Sequence, residues 1–245
     1  MGSGGAVLVL VIVQALLLYF LGSYAMSGLN GLLGKSAASK LLFYLFAAPG
    51  VVLHETAHFA ACKLLGLKVA RFVPFSPKAA GDGRTTMGYV EHASRDPVSS
   101  ALVGVAPMLL NPLGAILAVA VLTPLGFGEV LSESQRALDE GLFSAALDTL
   151  GAAGSFLAAN PLAALLLFYL LLSFSLGSVL SREDLTAFPA AGVFLVIAVF
   201  VFSQFSDQNI VESLEPVSSV AAVVYTLPVA VAGISAALVT LALRR

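Results

Sequence analysis

Two histidines and a glutamate lie within five consecutive residues of an otherwise apolar stretch. The stretch reads VVLHETAHF, and His54, Glu55 and His58 are its only ionisable residues. On a helix, residues i and i+4 project from one face about 6 Å apart, so the two histidines can bind the same metal ion. Glu55 is turned about 100° away and can take a proton from a metal-bound water. These residue types at this spacing indicate a catalytic zinc site.

The apolar surroundings make this pattern specific, and the chain has only three histidines in all. Ionisable groups at membrane depth cost at least a few kcal/mol each unless they are paired, hydrated or metal-bound. Two plainer interpretations remain open, namely histidines that only bond to backbone or water, and a structural zinc site. A structural zinc ion usually has four protein ligands, and Cys62 is the only thiol.

A catalytic zinc ion needs a third protein ligand, and few acids lie near the apolar stretches. We expect Asp184 to be this ligand. It follows the apolar stretch at residues 161–180, and we assign that end of the stretch to the same side of the membrane as Lys63, near the end of the apolar stretch at residues 40–65. Glu183 is adjacent to it, and His92 lies in a more polar segment. Both remain alternatives as the third ligand.

The composition identifies the solvent that surrounds these residues. Of the 245 residues, 59% are hydrophobic and 11% are charged, far from the balance of an ordinary soluble domain. The net charge of −2 offers no basic patch for phosphates, which argues against a nucleic-acid partner. Six stretches are long enough to cross about 30 Å of hydrocarbon. They are residues 5–24, 40–65, 98–122, 161–180, 189–205 and 217–243.

The predicted fold class is therefore an all-α polytopic membrane protein, with one domain over residues 1–245 and about six transmembrane helices. Polar and apolar residues alternate on both sides of the glycines at 81 and 83, which predicts a small β-hairpin between the second and third spans. Residues 132–159 are mildly amphipathic, so we expect them to lie on the membrane surface or to be partly inserted.

The distribution of basic residues predicts the orientation of the chain. With six spans, nine of the twelve Lys and Arg residues fall on one face of the membrane. The positive-inside rule then places both termini and the hairpin in the cytoplasm. We expect a multi-pass integral membrane protein, and its compactness fits a prokaryotic cell membrane.

The HETAH sequence inside a predicted span resembles the site-2 protease family of intramembrane zinc metalloproteases. Residues 104–111, GVAPMLLN, look like a stretched form of the Gly-Pro-x-x-Asn motif that the family carries in its next core helix. Family members take their third zinc ligand from an aspartate near the end of a later core helix, which Asp184 would match. Leu185 follows it where the family usually has glycine. The resemblance covers residues 41–185.

The resemblance implies hydrolysis of peptide bonds in transmembrane protein substrates within the lipid bilayer. One Zn²⁺ ion per chain would activate water, Glu55 would act as the general base, and Asn111 would donate to the substrate or to the oxyanion. The hairpin offers an edge for an unwound substrate segment, or is a plain connector. A non-catalytic metal-binding protein of this fold and a metal-ion carrier are the competing functions. The sequence does not indicate an oligomeric state.

Overall fold

A computed structural model describes residues 3–33, 36–79, 85–93, 96–123, 154, 156, 158–179, 184 and 215–244. This part of the chain contains five main helices and four short strands. The helices are α1 (Ser3–Leu33), α2 (Ala37–Leu64), α3 (Pro97–Leu122), α4 (Pro161–Gly177) and α5 (Glu215–Leu243). The strands are β1 (Val69–Val73), β2 (Lys78–Ala79), β3 (Thr85–Thr86) and β4 (Tyr89–His92).

The five helices coincide with five of the six predicted spans. Three of them are long and apolar enough to cross a membrane, namely Val11–Leu33 within α1, all of α2 and all of α3. Helix α4 and the segment Pro228–Leu243 within α5 are shorter apolar helical segments. These features indicate a multi-pass membrane protein. The predicted span at 189–205, and nearly all of the predicted amphipathic segment, lie outside the described residues, so the six-span arrangement stays a prediction.

The predicted hairpin between the second and third helices is confirmed. Strand β1 pairs antiparallel with β4, and β2 pairs antiparallel with β3, so the two short sheets follow one another along a single hairpin. A bulge interrupts the outer pair between Val69 and Arg71. The Phe72 ring stacks on the Phe59 ring of α2 with centroids 4.7 Å apart. This contact fixes the hairpin to the C-terminal part of α2.

Polar caps mark the starts of α2 and α3. The Ser36 hydroxyl accepts from the Ser39 backbone N–H, and the Ser39 hydroxyl accepts from the Ser36 backbone N–H, which completes a capping box. Asp96 accepts from the Ser99 N–H at 2.8 Å, and this hydrogen bond lowers the pKa of the Asp96 carboxyl. Pro97 follows at the first helical position, where a missing N–H costs nothing.

The helices form one bundle in which α2, α3 and α4 pack against one another and α5 packs along α1. Ile116 of α3, Leu167 of α4 and Val224 of α5 are buried together. A second cluster joins Ala25 of α1 to α4 and α5. Many leucines on the outer helix faces remain exposed, as expected for helices that contact lipid rather than water.

Pro49 interrupts the hydrogen bonding of α2 just before the histidine pair. Because proline has no N–H, the carbonyl four residues earlier, on Leu45, loses its partner within the helix. The Tyr169 hydroxyl of α4 donates to that carbonyl at 2.7 Å. The Ser173 hydroxyl, one turn further along α4, accepts from the Gly50 N–H at 2.8 Å. Hydroxyls of α4 therefore satisfy the backbone groups that the proline leaves exposed.

The crossing of α2 and α4 is close because glycines face each other there. A Cβ atom placed on Gly50 would collide with the Ser173 carbonyl, and one placed on Gly177 would lie 2.7 Å from the backbone of Gly50. Small residues at helix crossings let backbones approach in this way. The same approach brings the end of α4 next to His54.

We predict that Tyr169→Phe lowers the free energy of unfolding by about 0.5–2 kcal/mol, because it leaves the Leu45 carbonyl without a donor in an apolar environment. The ring packing on Phe46 is retained. Denaturant titration in detergent micelles measures the change. Tyr44→Phe is the matched control, since the Tyr44 hydroxyl has no hydrogen-bond partner among the described residues. Equal stabilities of the two variants would contradict the prediction.

Candidate metal centre

His54 and His58 lie one turn apart on the half of α2 that follows Pro49, and both side chains are buried. Their rings meet edge to face with centroids 4.7 Å apart. The two Nε2 atoms are 3.1 Å apart. The structure therefore shows the arrangement that the i, i+4 spacing predicts.

A backbone carbonyl fixes each imidazole ring from behind. His54 Nδ1 lies 2.8 Å from the Gly177 carbonyl oxygen, and His58 Nδ1 lies 2.8 Å from the Val103 carbonyl oxygen. A carbonyl can only accept a hydrogen bond, so each Nδ1 atom carries the proton and donates it. In both neutral rings the Nε2 atom consequently has a lone pair. This is the usual orientation of metal-binding histidines, whose second nitrogen donates to a carbonyl or carboxylate.

These two carbonyls are available because no helical N–H claims them. Gly177 is the last residue of α4, and the last carbonyls of a helix have no partner within it. Val103 lies four residues before Pro107 in α3, and proline has no N–H to donate. A helix end and a proline thus supply the acceptors for the two histidines.

Asp184 completes a group of three with the histidines. Its Oδ1 atom lies 3.3 Å from His58 Nε2, and its Oδ2 atom lies 3.6 Å from His54 Nε2. One potential ligand atom from each residue lies within 4.8 Å of the other two. A Cβ atom on Gly104 of α3 would lie 3.1 Å from the Asp184 carbonyl oxygen. The glycine therefore lets the backbone at Asp184 approach α3 closely.

The electrostatics of this group favour a bound cation. Two lone pairs 3.1 Å apart repel each other, and the adjacent carboxylate oxygens also accept rather than donate. A proton or a metal ion between them removes the repulsion. Two nitrogens bound to a tetrahedral zinc ion at about 2.0–2.1 Å are separated by about 3.3–3.4 Å. The observed spacing and the donor set of two imidazoles and a carboxylate fit such an ion.

Glu55 is buried next to this group but is not part of it. Its carboxylate is close enough to interact electrostatically with both histidines and with Asp184. Gly88 lies over it, because a Cβ atom there would come within 2.6 Å of Glu55 Cγ and 2.9 Å of the Pro74 carbonyl oxygen. The hairpin therefore covers Glu55 at the junction between the β1–β4 pair and the β2–β3 pair.

Of the two alternative third ligands, His92 is the one that lies among the described residues. His92 lies on β4 and is not part of the three-residue group. Its buried Nδ1 atom has no hydrogen-bond partner within the described ranges. Burial lowers the pKa of His92, which favours a neutral ring near the site. Glu183 lies outside the described residues. Cys62 is a buried free thiol and is not a member of the group.

Asn111, the predicted donor to substrate, lies at the crossing of α2 and α4. Its side chain is fully buried, and Nδ2 donates to the Gly50 carbonyl at 3.3 Å. The same nitrogen would lie 2.7 Å from a Cβ atom on Gly177. Its Oδ1 atom is buried without a hydrogen-bond partner in the described part of the chain. Asn111 thus joins α3 to the crossing of α2 and α4, and its contact with substrate stays a prediction.

Sequence reasoning assigned no individual role to several residues around the group. They are Val103 and Gly177, which supply the carbonyls, and Pro107, Gly88 and Gly104. One signal was present in the sequence. A proline inside a predicted span always releases the carbonyl four residues before it, and that carbonyl needs a donor in an apolar environment.

Comparison with protein-family models, with curated proteins and with solved structures found no match to this chain. The chain is a helical, membrane-type protein with a buried group of two histidines and an aspartate that could hold a metal ion.

We predict that Gly88→Ala loosens the hairpin, because the added methyl group collides with Glu55 and with the Pro74 carbonyl. Overpacking of this kind costs about 1–3 kcal/mol. Hydrogen exchange of the β1 and β4 amides should accelerate accordingly. Gly31→Ala is the control, since a Cβ atom there meets nothing within 4 Å. Unchanged exchange in Gly88→Ala would show that the hairpin does not rest on Glu55.

Proposed function

We propose that the protein is an intramembrane zinc metalloprotease that hydrolyses peptide bonds of membrane-spanning proteins. One observation carries the proposal. Two imidazoles with their Nε2 lone pairs facing each other, a carboxylate and a separate glutamate converge inside an apolar helical bundle. The resemblance of HETAH and of residues 104–111 to site-2 proteases supports the same reaction.

His54, His58 and Asp184 would hold the zinc ion through Nε2 of each ring and a carboxylate oxygen. Three protein ligands are typical of catalytic zinc sites, which keep one position open, whereas structural sites usually have four. Bound zinc supplies a Lewis acid that polarises a carbonyl group and brings the pKa of a bound water near 7. The backbone acceptors of both rings keep the ligand nitrogens aimed at this position.

Glu55 would perform the proton transfers. It lies one residue after His54 and is not in the ligand group, so its carboxylate remains available as a base. In this role it takes the proton of the attacking water and returns it to the leaving amine. Burial beneath Gly88 keeps the carboxylate away from bulk solvent. Asn111 remains a proposed donor to substrate, although its amide nitrogen already bonds to Gly50.

The substrate would reach the site beside the hairpin. His58 precedes Lys63 by five residues, or about 7.5 Å along a helix, so the site lies near the end of α2 that we propose faces the cytoplasm. A transmembrane helix hides its amide groups and must unwind before hydrolysis. The strands next to Glu55 offer an edge with which an unwound segment could pair.

We predict that Glu55→Gln retains zinc and loses cleavage by at least about 100-fold, because the base is removed and the ligands remain. Asp184→Asn should lose zinc as well as cleavage. The measurement is zinc content and cleavage of a model transmembrane substrate by purified protein in liposomes. Glu91→Gln is the control, since Glu91 is an exposed carboxylate on β4, and it should behave as the wild type.

Two results would reject the proposal in different ways. Zinc bound with equal cleavage by wild type and Glu55→Gln would exclude the hydrolytic mechanism. Zinc bound without cleavage of any membrane-spanning substrate would favour a non-catalytic metal-binding protein. A metal-ion carrier would change metal uptake by liposomes and would not need Glu55.

A further inference from the structure

His58 owes its orientation to a carbonyl that its neighbouring helix leaves unused. In an uninterrupted α3, the N–H of residue 107 would donate to the Val103 carbonyl. Pro107 has no N–H, and His58 Nδ1 lies 2.8 Å from that carbonyl instead. The proline therefore determines which donor the carbonyl can receive.

Two other prolines inside helices release a carbonyl for which the structure shows a side-chain donor. Tyr169 donates to the carbonyl freed by Pro49, and Tyr225 donates at 2.8 Å to the Met108 carbonyl freed by Pro112. In both cases the donor is a hydroxyl with a packing role. The carbonyl that Pro107 frees differs, because its donor belongs to the candidate metal centre.

We propose that Pro107 is a positioning residue for the metal centre, which acts by keeping the Val103 carbonyl available to His58. An alanine at this position would supply an N–H that competes for the carbonyl and would draw it back towards the helix axis. A carbonyl oxygen has two lone pairs, so we expect His58 to be weakened as a ligand rather than lost. The inference rests on the metal centre of the proposed function and does not depend on the hydrolytic step.

The neighbourhood of Pro107 makes this role distinguishable from ordinary packing. Pro107 and Pro112 are both fully buried in α3, five residues apart. Either substitution by alanine removes a ring from the interior and restores one N–H to the helix. Only Pro107→Ala restores an N–H that can donate to the Val103 carbonyl, the partner of His58. Pro112→Ala is therefore a matched control for the loss of packing and of the kink.

We predict that Pro107→Ala lowers zinc affinity by about 10- to 100-fold, the usual effect of removing a partner of a metal-binding histidine. Competition with a chromophoric chelator measures the affinity in detergent micelles. Pro112→Ala should keep the wild-type affinity. Lactic acid inserted at position 107 has the shape of alanine but an ester oxygen in place of the N–H, so it should also keep the wild-type affinity.

Equal zinc affinities of Pro107→Ala and Pro112→Ala would overturn the inference while leaving the metal centre intact. Equal losses in the alanine and lactic acid proteins would also overturn it, since the N–H would then be irrelevant. If the wild type binds no zinc, the proposed function fails, and the inference is tested in metal-free protein.

That test uses the ring nitrogens of the histidines directly. The chain has three histidines, so ¹⁵N-histidine NMR spectra can be assigned by single substitutions. We expect a protected Nδ1–H signal from His58 in the wild type and in Pro112→Ala, and faster exchange of this proton in Pro107→Ala. An unchanged signal in Pro107→Ala would overturn the inference.

Discussion

Every backbone carbonyl inside an apolar bundle needs a hydrogen-bond donor, and the arrangement of these helices depends on that requirement. Water is absent from hydrocarbon, and each unsatisfied group costs several kcal/mol. Prolines within the helices, and the end of α4, leave carbonyls without partners at fixed positions. Side chains from other helices donate to four of these carbonyls, and those contacts set the register between helices. The four belong to Leu45, Val103, Met108 and Gly177. Two of the donors are His54 and His58, so the same contacts that join the helices also orient the candidate metal centre.

The site lies where α2, α3 and α4 meet, because the histidines of α2 donate to carbonyls of α3 and α4. Gly50 and Gly177 allow α2 and α4 to approach, and Asn111 of α3 bonds at the same crossing. The approach brings the end of α4 behind His54, while α3 lies behind His58. Glu55 lies outside the group and beneath the hairpin. A change at the crossing of α2 and α4 would therefore also change the site, because the Gly177 carbonyl at this crossing is the hydrogen-bond partner of His54.

The sequence predicted the parts of this arrangement that depend on local spacing. Long apolar stretches predicted the helices, alternation predicted the hairpin, and the i, i+4 spacing predicted that His54 and His58 would face one another. Asp184 was reached by argument from topology, and the structure places it against both rings. Contacts between distant elements could not be read in advance. The position of Gly88 over Glu55 and the partner of Asn111 depend on how helices and hairpin dock, which no periodicity specifies.

The central claim is that two imidazoles and a carboxylate hold one metal ion. X-ray absorption spectroscopy of the zinc-loaded protein tests it most directly. The account predicts one zinc ion per chain with two imidazole nitrogens at about 2.0–2.1 Å and carboxylate and water oxygens in the remaining positions. A sulfur ligand at about 2.3 Å would instead implicate Cys62. That result, a first shell without imidazole, or failure of the protein to retain zinc, would contradict the account.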